Sequence, residues 1–443
     1  MKHKFTLSPA KLLALGFLGI ILLGTSLLCL PFASYEGHTS FVDALFTATS
    51  ATCVTGLVTL TTATHWTLFG KVIIILLIQI GGLGFMTFVS LSAIILNKNI
   101  SLHERKLMVQ STGSLELRGI INLIKRVALG TILIEGVGAI LLTARFLSLG
   151  NSFINSLWHG IFHSISAFCN AGFDILGDNS LINYSSDPFI LITISLLIII
   201  GGIGFLVWND FISYKFHFKK YKLHSKLALS ITSILIFGGW ILLYITERNA
   251  SLGAFSEGDK WLNAFFQSVT LRTAGFDSIN QGSLSRGGSV ISVVFMLIGG
   301  CPGSTAGGIK AITFLVVILN TVSFARDKDS ITIFKKRISD STVKQACAIM
   351  TLYLLAVCAV TVAICLIEGD SFSLGNIIYE VASAIATVGL TQGITPLLSV
   401  ASKMILCFAM YFGRLGGLTL LLAIAEKQLG ASLERPYEKI LIG

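Results

Sequence analysis

Four times along the chain an aromatic residue stands ten positions before a glycine, with an apolar residue directly after: Phe46 and Gly56, Phe162 and Gly172, Phe265 and Gly275, Tyr379 and Gly389. The segments SATCVTGL, SAFCNAGF, VTLRTAGF and SAIATVGL share a turn of small or β-branched residues that ends in this glycine. Self-similarity of this kind means that one structural unit is used several times. One such turn would carry little information. Four in a single apolar chain predict four copies of an element converging on a shared axis, and backbone loops around an axis are the layout of an ion filter.

The axis lies in a bilayer. The chain is 53% hydrophobic and only 12% charged, against roughly 25% charged in soluble domains. Apolar stretches of about the 20 residues that cross hydrocarbon run over 10–31, 68–96, 125–147, 189–213, 226–246, 288–322, 345–367 and 401–424. These predict about eight transmembrane helices. The first starts right after Met1-Lys2-His3-Lys4 and lacks a small-residue cleavage site before Pro31, so it reads as a retained helix and not a signal peptide.

The net charge of +10 would suggest nucleic acid in a soluble protein. Here its location sets topology instead, and no nucleic-acid partner is expected. Basic residues gather between the repeats, at Lys98, Arg105, Lys106, Arg118, Lys125 and Arg126, at Lys215, Lys219, Lys220, Lys222 and Lys226, and at Lys328, Lys335, Lys336, Arg337 and Lys344. Connections inside the repeats carry Glu36, Asp174, Asp178, Asp187, Glu257, Asp259, Glu368 and Asp370. The positive-inside rule then predicts a multi-pass plasma-membrane protein with both termini cytoplasmic. The eight cysteines have no CxxC pair and no histidine at metal spacing, and read as buried reduced thiols.

With basic linkers on both sides, each repeat crosses twice, so the motif segment dips in and returns to the same face. Such re-entrant backbone survives at membrane depth only when buried in protein or lining a watery cavity. The dipping segments, Asp43–Ala51, His159–Phe168, Asn263–Thr270 and Asn376–Ile385, are predicted as short helices whose negative dipole ends favour a cation at the centre. The expected divisions are 1–96, 97–213, 214–325 and 326–443. The fold class is an all-α integral membrane protein of four parallel helix/pore-loop/helix repeats in pseudo-fourfold arrangement around one central pore.

The returning helices carry glycines in GGLGF (81–85), GGIGF (201–205) and GRLGGLT (413–419), which permit close helix approach. The third instead carries GGCPGSTAGGIK (299–310), a run of poor helix formers predicted to unwind into a loop. Its small residues suit a movable gate. Read as a phosphate loop it fails: the lysine is one place late and no strand precedes it.

A backbone filter replaces a cation's hydration shell with carbonyl oxygens. The candidate residues are Val54, Thr55 and Gly56; Asn170, Ala171 and Gly172; Thr273, Ala274 and Gly275; and Thr387, Val388 and Gly389. The glycines would supply the unusual dihedrals. The first and fourth turns look like potassium filters and the middle two are looser, which predicts one or two well-formed sites and selectivity less strict than in a fourfold-symmetric channel. Asn170 either adds a side-chain oxygen or braces its loop. Arg272 reads as a brace. Glu380 and His163, each nine residues before a filter glycine, read as ion relays or as polar packing behind the pore helix.

These motifs together, with QIGGLGFMTF and GRLGGLTLL, resemble over nearly the whole chain the Trk/Ktr/HKT superfamily of cation transporters, most closely the membrane subunit of bacterial Ktr-type potassium uptake systems. The resemblance implies K+ uptake, a homodimer in membrane lipid, and a ring of soluble nucleotide-binding RCK subunits as regulator. It also implies an intramembrane gating loop below the filter, which falls on Gly299, Gly300, Gly303, Ser304, Thr305, Gly307, Gly308 and Lys310. Arg414, an arginine at membrane depth where the first and third repeats have Gly82 and Gly300, reads either as a positive barrier beneath the filter or as a tie to loop carbonyls or to a carboxylate such as Glu380 or Asp277. Na+ stands as a second possible ion, no organic cofactor is expected, and no enzyme motif is present. Sodium- or proton-coupled secondary transport is the alternative, but it would favour inverted repeats and further deep charges.

Overall fold

The computed structural model describes residues 9–84, 120–328 and 330–416. Among them the chain is helical, with one small hairpin, Thr332–Ile333 paired with Lys336–Arg337. Each quarter of the molecule runs outer helix, pore helix, inner helix. The outer helices are Pro9–Leu28, Ile120–Ser148, Leu223–Glu247 and Asp340–Glu368, and all four are long and apolar enough to cross a membrane. The pore helices are Phe41–Cys53, Phe153–Cys169, Glu257–Thr270 and Leu374–Ala386. The inner helices are Leu68–Leu83, Pro188–Gly202, Arg286–Leu297 and Val400–Leu415.

Inner helices two and three are not simple spans. The second turns by 94° at its glycines into Phe205–Tyr214. The third stops at Leu297 and resumes as Ala311–Ala325, so the apolar stretch 288–322 is two helices with a loop between them. The GGLGF and GRLGGLT motifs run beyond the described residues at Phe85 and from Gly417, as do Lys98, Arg105, Lys106, Arg118 and the expected division at 96/97.

The pore helices begin earlier than the apolar pattern predicts, because serine caps fix their starts. Ser40, Ser152, Ser256 and Ser373 each accept the backbone N–H three residues on, satisfying a donor that the helix cannot pair itself. The inner helices are capped likewise by Thr67, Asp187, Ser285 and Ser399.

Each inner-helix cap is also clasped by the end of its own outer helix or the turn after it. Thr67 Oγ1 donates to Phe32 O at 2.8 Å, and Arg145 Nε to Asp187 at 2.8 Å. Glu247 accepts from Ser285 N and Oγ, and Glu368 from Ser399 N and Oγ. The clasp closes each repeat into a V with the pore helix inside it.

The surface is apolar and the core is mixed. Leu129, Ile132 and Ile140 of outer helix two are each about 70% exposed, facing where lipid would lie, while Ser50, Ser164, Ser166, Ser268, Thr270 and Ser383 of the pore helices are buried along with apolar side chains such as Phe46 and Phe162. The polar side chains collect inside because backbone near the axis needs partners that lipid cannot give. All eight cysteines are free; Cys53, Cys169, Cys301 and Cys407 are buried and Cys358 is exposed, so burial holds for only part of that set.

Candidate ion pathway

Each pore helix hands over to its glycine turn through a left-handed residue two positions before the glycine. Val54, Asn170, Thr273 and Thr387 have φ of 57°, 60°, 66° and 53°. Three of these are β-branched, for which such a backbone is a genuine outlier. The turn is held by repeated bonds: Thr55 N, Ala171 N and Val388 N each donate to the carbonyl of Ser50, Ser166 and Ser383 at 2.8 Å. Ser50 and Ser383 Oγ also accept from Gly56 N and Gly389 N at 3.0 Å.

The four glycines meet. A methyl group on Gly56 would lie 2.5 Å from Ala171 O, and one on Gly172 would lie 2.9 Å from Ala274 O and 2.7 Å from Gly275 Cα. One on Gly275 would collide with Val388 O, and one on Gly389 with Thr55 O. Each glycine therefore faces the carbonyl just before the next repeat's glycine, and the cycle runs one, two, three, four and closes on one. The glycines themselves have φ of 96°, 68°, 82° and 99°, so both the backbone and the space demand glycine.

Repeat three reaches its glycine with one residue fewer. Ala274 N bonds Thr270 O, a shorter span than the Thr55-to-Ser50 bond, and Thr270 Oγ1 both accepts from Phe276 N and donates to Phe276 O. The residue matching the fully buried Phe46, Phe162 and Tyr379 is therefore Phe266, also fully buried, and not Phe265, which packs on Trp240. The identical ten-residue spacing conceals this offset.

Beside the glycine turns, Ile298–Lys310 forms the expected loop, wedged among three repeats. It starts and ends side by side, with Gly299 N on Ile309 O at 2.9 Å and Ala311 N on Gly300 O at 3.0 Å. Cys301 N and Thr305 N donate to Gly202 O and Gly201 O, the free carbonyls at the bend of inner helix two, and Phe205 N donates to Gly303 O. Thr305 Oγ1 reaches Phe168 O at 3.1 Å, and Gly307 N reaches the hydroxyl of Thr273 at 3.2 Å. Ser304 Oγ and Lys310 Nζ bond within the loop, to Cys301 O and Ala306 O. Gly308 has φ of 65°, and a methyl group on Gly307 would strike Thr387.

Arg414 joins this loop to the rest. Its guanidinium donates to Thr305 O and to Gly81 O, and at 3.1 Å to Gly82 O. Its described partners are carbonyls; Glu380 instead accepts from Thr391 and Thr395. Gly81, Gly201 and Gly413 each pack against the last-turn carbonyl of the adjoining pore helix, Thr52, Phe168 and Ile385, so Arg414 takes the place of Gly82 and Gly202.

Arg272 is buried, with Nη2 3.4 Å from Thr232 Oγ1, directed to outer helix three. Asn170, with its amide oriented to satisfy its surroundings, donates to Ala167 O at 3.1 Å and Ile198 O at 3.2 Å. Both side chains brace.

One deep acid escapes the sequence reading. Glu135, in mid-span of outer helix two and 8% exposed, accepts from Gln79 Nε2 at 3.2 Å and lies near the Cys169 thiol, beside Asn170. Ser164 Oγ donates to its backbone carbonyl at 2.6 Å. A lone carboxyl inside an otherwise apolar span was the available signal.

A family model described as TrkH, cation transport protein, matches residues 2–433. The chain is 41% identical to the Potassium/sodium uptake protein NtpJ of Enterococcus hirae, covering 99% of this chain and 98% of that one. It is 39% identical to the Ktr system potassium uptake protein B of Bacillus subtilis, covering 95% and 94%. Among solved structures, the potassium transporter TrkH from Vibrio parahaemolyticus superposes with a TM-score of 0.69 at 21% identity, over 96% of this chain and 86% of that one, a likeness of fold.

Proposed function

Since the chain belongs to the TrkH family of cation transport proteins, we propose that it takes up potassium across the cell membrane through one channel-like pore, with the four glycine turns as its selectivity filter. The observation that carries this reading is the closed cycle in which each filter glycine faces the carbonyl preceding the next. Potassium is the substrate. The carbonyls of Val54, Thr55, Asn170, Ala171, Thr273, Ala274, Thr387 and Val388 replace its hydration shell as it sheds water. The C-terminal ends of four pore helices favour the positive charge there.

In this reading the pore helices enter from outside, the termini are cytoplasmic, and an inside-negative potential drives entry by about 2.3 kcal/mol per charge per 100 mV. The loop 299–310 is the gate and Arg414 its latch, since one guanidinium holds both the loop and inner helix one. A soluble nucleotide-binding subunit acts on the cytoplasmic side of a homodimer to release it. The Ktr system names of the relatives support a partner component, and the name of the E. hirae relative supports sodium as a second transported ion.

Rubidium tracer uptake into liposomes holding the purified chain, with K+ or Na+ as competitor, tests the reading beside Gly275→Ser. The expected result is competition by K+ well above Na+, lost in the variant. Uptake indifferent to both competitor and substitution, with and without a regulatory subunit, would overturn it.

A further inference from the structure

One pore-helix position recurs behind every filter turn, three residues before the hydroxyl that closes the turn. It is occupied by Thr47, His163, Gln267 and Glu380, all buried. In three repeats this side chain holds the segment leaving the filter on the pore-helix side. His163 Nε2 accepts from Ile175 N at 3.4 Å, while its other nitrogen contacts His159 O. Gln267 Nε2 donates to Gln281 Oε1 at 2.7 Å, and Gln281 Oε1 also takes the hydroxyl of Tyr379 from repeat four at 2.8 Å.

The fourth repeat makes the strongest attachment. Glu380 is 1% exposed. Thr391 Oγ1 donates to one of its oxygens at 2.8 Å, and Thr395 Oγ1 contacts the other. The two hydroxyls lie 3.0 Å apart, and Thr391 Oγ1 also accepts from Gly393 N at 3.0 Å. Thr391 stands two residues past Gly389, so the carboxyl fixes the exit of the filter turn to the same helix whose Ala384 and Ser383 carbonyls hold Thr387 N and Val388 N at its entrance, at 3.1 Å and 2.8 Å. The fourth turn is thus pinned on both sides of the carbonyls that face the axis.

We propose that Glu380 is a specificity-determining positioning residue. By holding Thr391 and Thr395 it keeps the Thr387–Gly389 turn at the spacing that suits a potassium ion and disfavours the smaller sodium ion. Sodium would need the carbonyls to close inward, and a turn anchored at both ends resists that motion. The bonds carry the role: glutamine, which keeps an acceptor and adds a donor that a rotated threonine hydroxyl can take, restores much of it. This rests on the filter reading above.

The test is the ratio of Na+ to K+ competition against rubidium uptake into liposomes holding the full-length chain. It compares wild type, E380A, E380Q, the T391V/T395V double variant and the combination of E380A with that double variant, with Gly275→Ser alongside. Expected is an increase of about tenfold in relative Na+ competition for E380A and for T391V/T395V, the size a buried hydrogen-bond pair gives. E380Q should recover most of the wild-type ratio, and the combined variant should be no worse than either parent, as for residues acting through one linkage. Equal defects in E380A and E380Q with a wild-type ratio in T391V/T395V would overturn the proposal in favour of a charge effect. So would wild-type ratios in all Glu380 and threonine variants beside an altered Gly275→Ser. If Gly275→Ser is also unaltered, the filter reading itself fails. Should E380A not fold, T391V/T395V, which removes two hydroxyls and keeps volume, carries the test alone.

Discussion

Val54, Thr273 and Thr387 hold a backbone conformation that β-branched residues avoid, at a cost of order 1–2 kcal/mol each. The cost is met by over-determination: the N–H of Val54 and of Thr387 bonds two carbonyls of its own pore helix. The glycines beside them leave no room. Gly389→Ala puts a methyl group against Thr55 O at a φ of 99°, so relative Na+ competition should rise at least tenfold in rubidium uptake while the protein still inserts. Arg414 is the other residue with a sharp expectation. Alanine there takes the guanidinium from Thr305 O and Gly82 O, each orphan costing about 1–3 kcal/mol, and leaves Gly81 O with only Gly84 N. Basal uptake without any regulatory subunit should rise several-fold. Lysine, a point charge without a planar fork, should fall between the two.

At the scale of the element, the V of each repeat depends on its clasp. Glu247 holds Ser285 through N–H and hydroxyl, which fixes where inner helix three starts. Glu247→Ala should lower stability by about 2 kcal/mol, read as an earlier thermal transition in detergent, with the Na+/K+ competition ratio of the surviving protein unchanged because the clasp is remote from the filter. The loop 299–310 behaves differently. Its bonds go to Gly201, Gly202 and Thr273, so removing Cys301 to Gly307 should raise flux; unchanged flux would end its role as a gate. The serine caps stand in the sequence ahead of each pore segment, but a reading built on apolar pattern passes over them. The helix starts were misjudged because an apolar pattern marks the buried half of a pore helix and misses its polar first turn.

Across the whole molecule, quadrants are tied to one another by a few polar links. Lys403 of inner helix four lies 3.6 Å from Asp43 of pore helix one. Leu181 N donates to Asp277 O between repeats two and three, and Tyr379 reaches Gln281 between four and three. Glu135 and Gln79 link repeats two and one directly behind a filter turn. Glu135→Ala leaves Gln79 without its acceptor and opens a gap beside Cys169. The maximal rate of uptake and the stability should both drop, the latter by about 2 kcal/mol, whereas Glu135→Gln should restore stability.

The sequence by itself determined the membrane setting, the number of repeats, the glycine turns and the break in the third inner helix. These follow from local rules: hydropathy counts residues along the chain, and a left-handed turn needs glycine whatever surrounds it. Only the tertiary structure decided which residues meet. The cyclic order of the four turns, the one-residue offset at Phe266, the carbonyl partners of Arg414, and the pairings of Glu135 and Glu380 join residues far apart in the chain. Nothing in the spacing of one segment encodes the distance to another, because that distance is set by how four helical Vs pack around an axis.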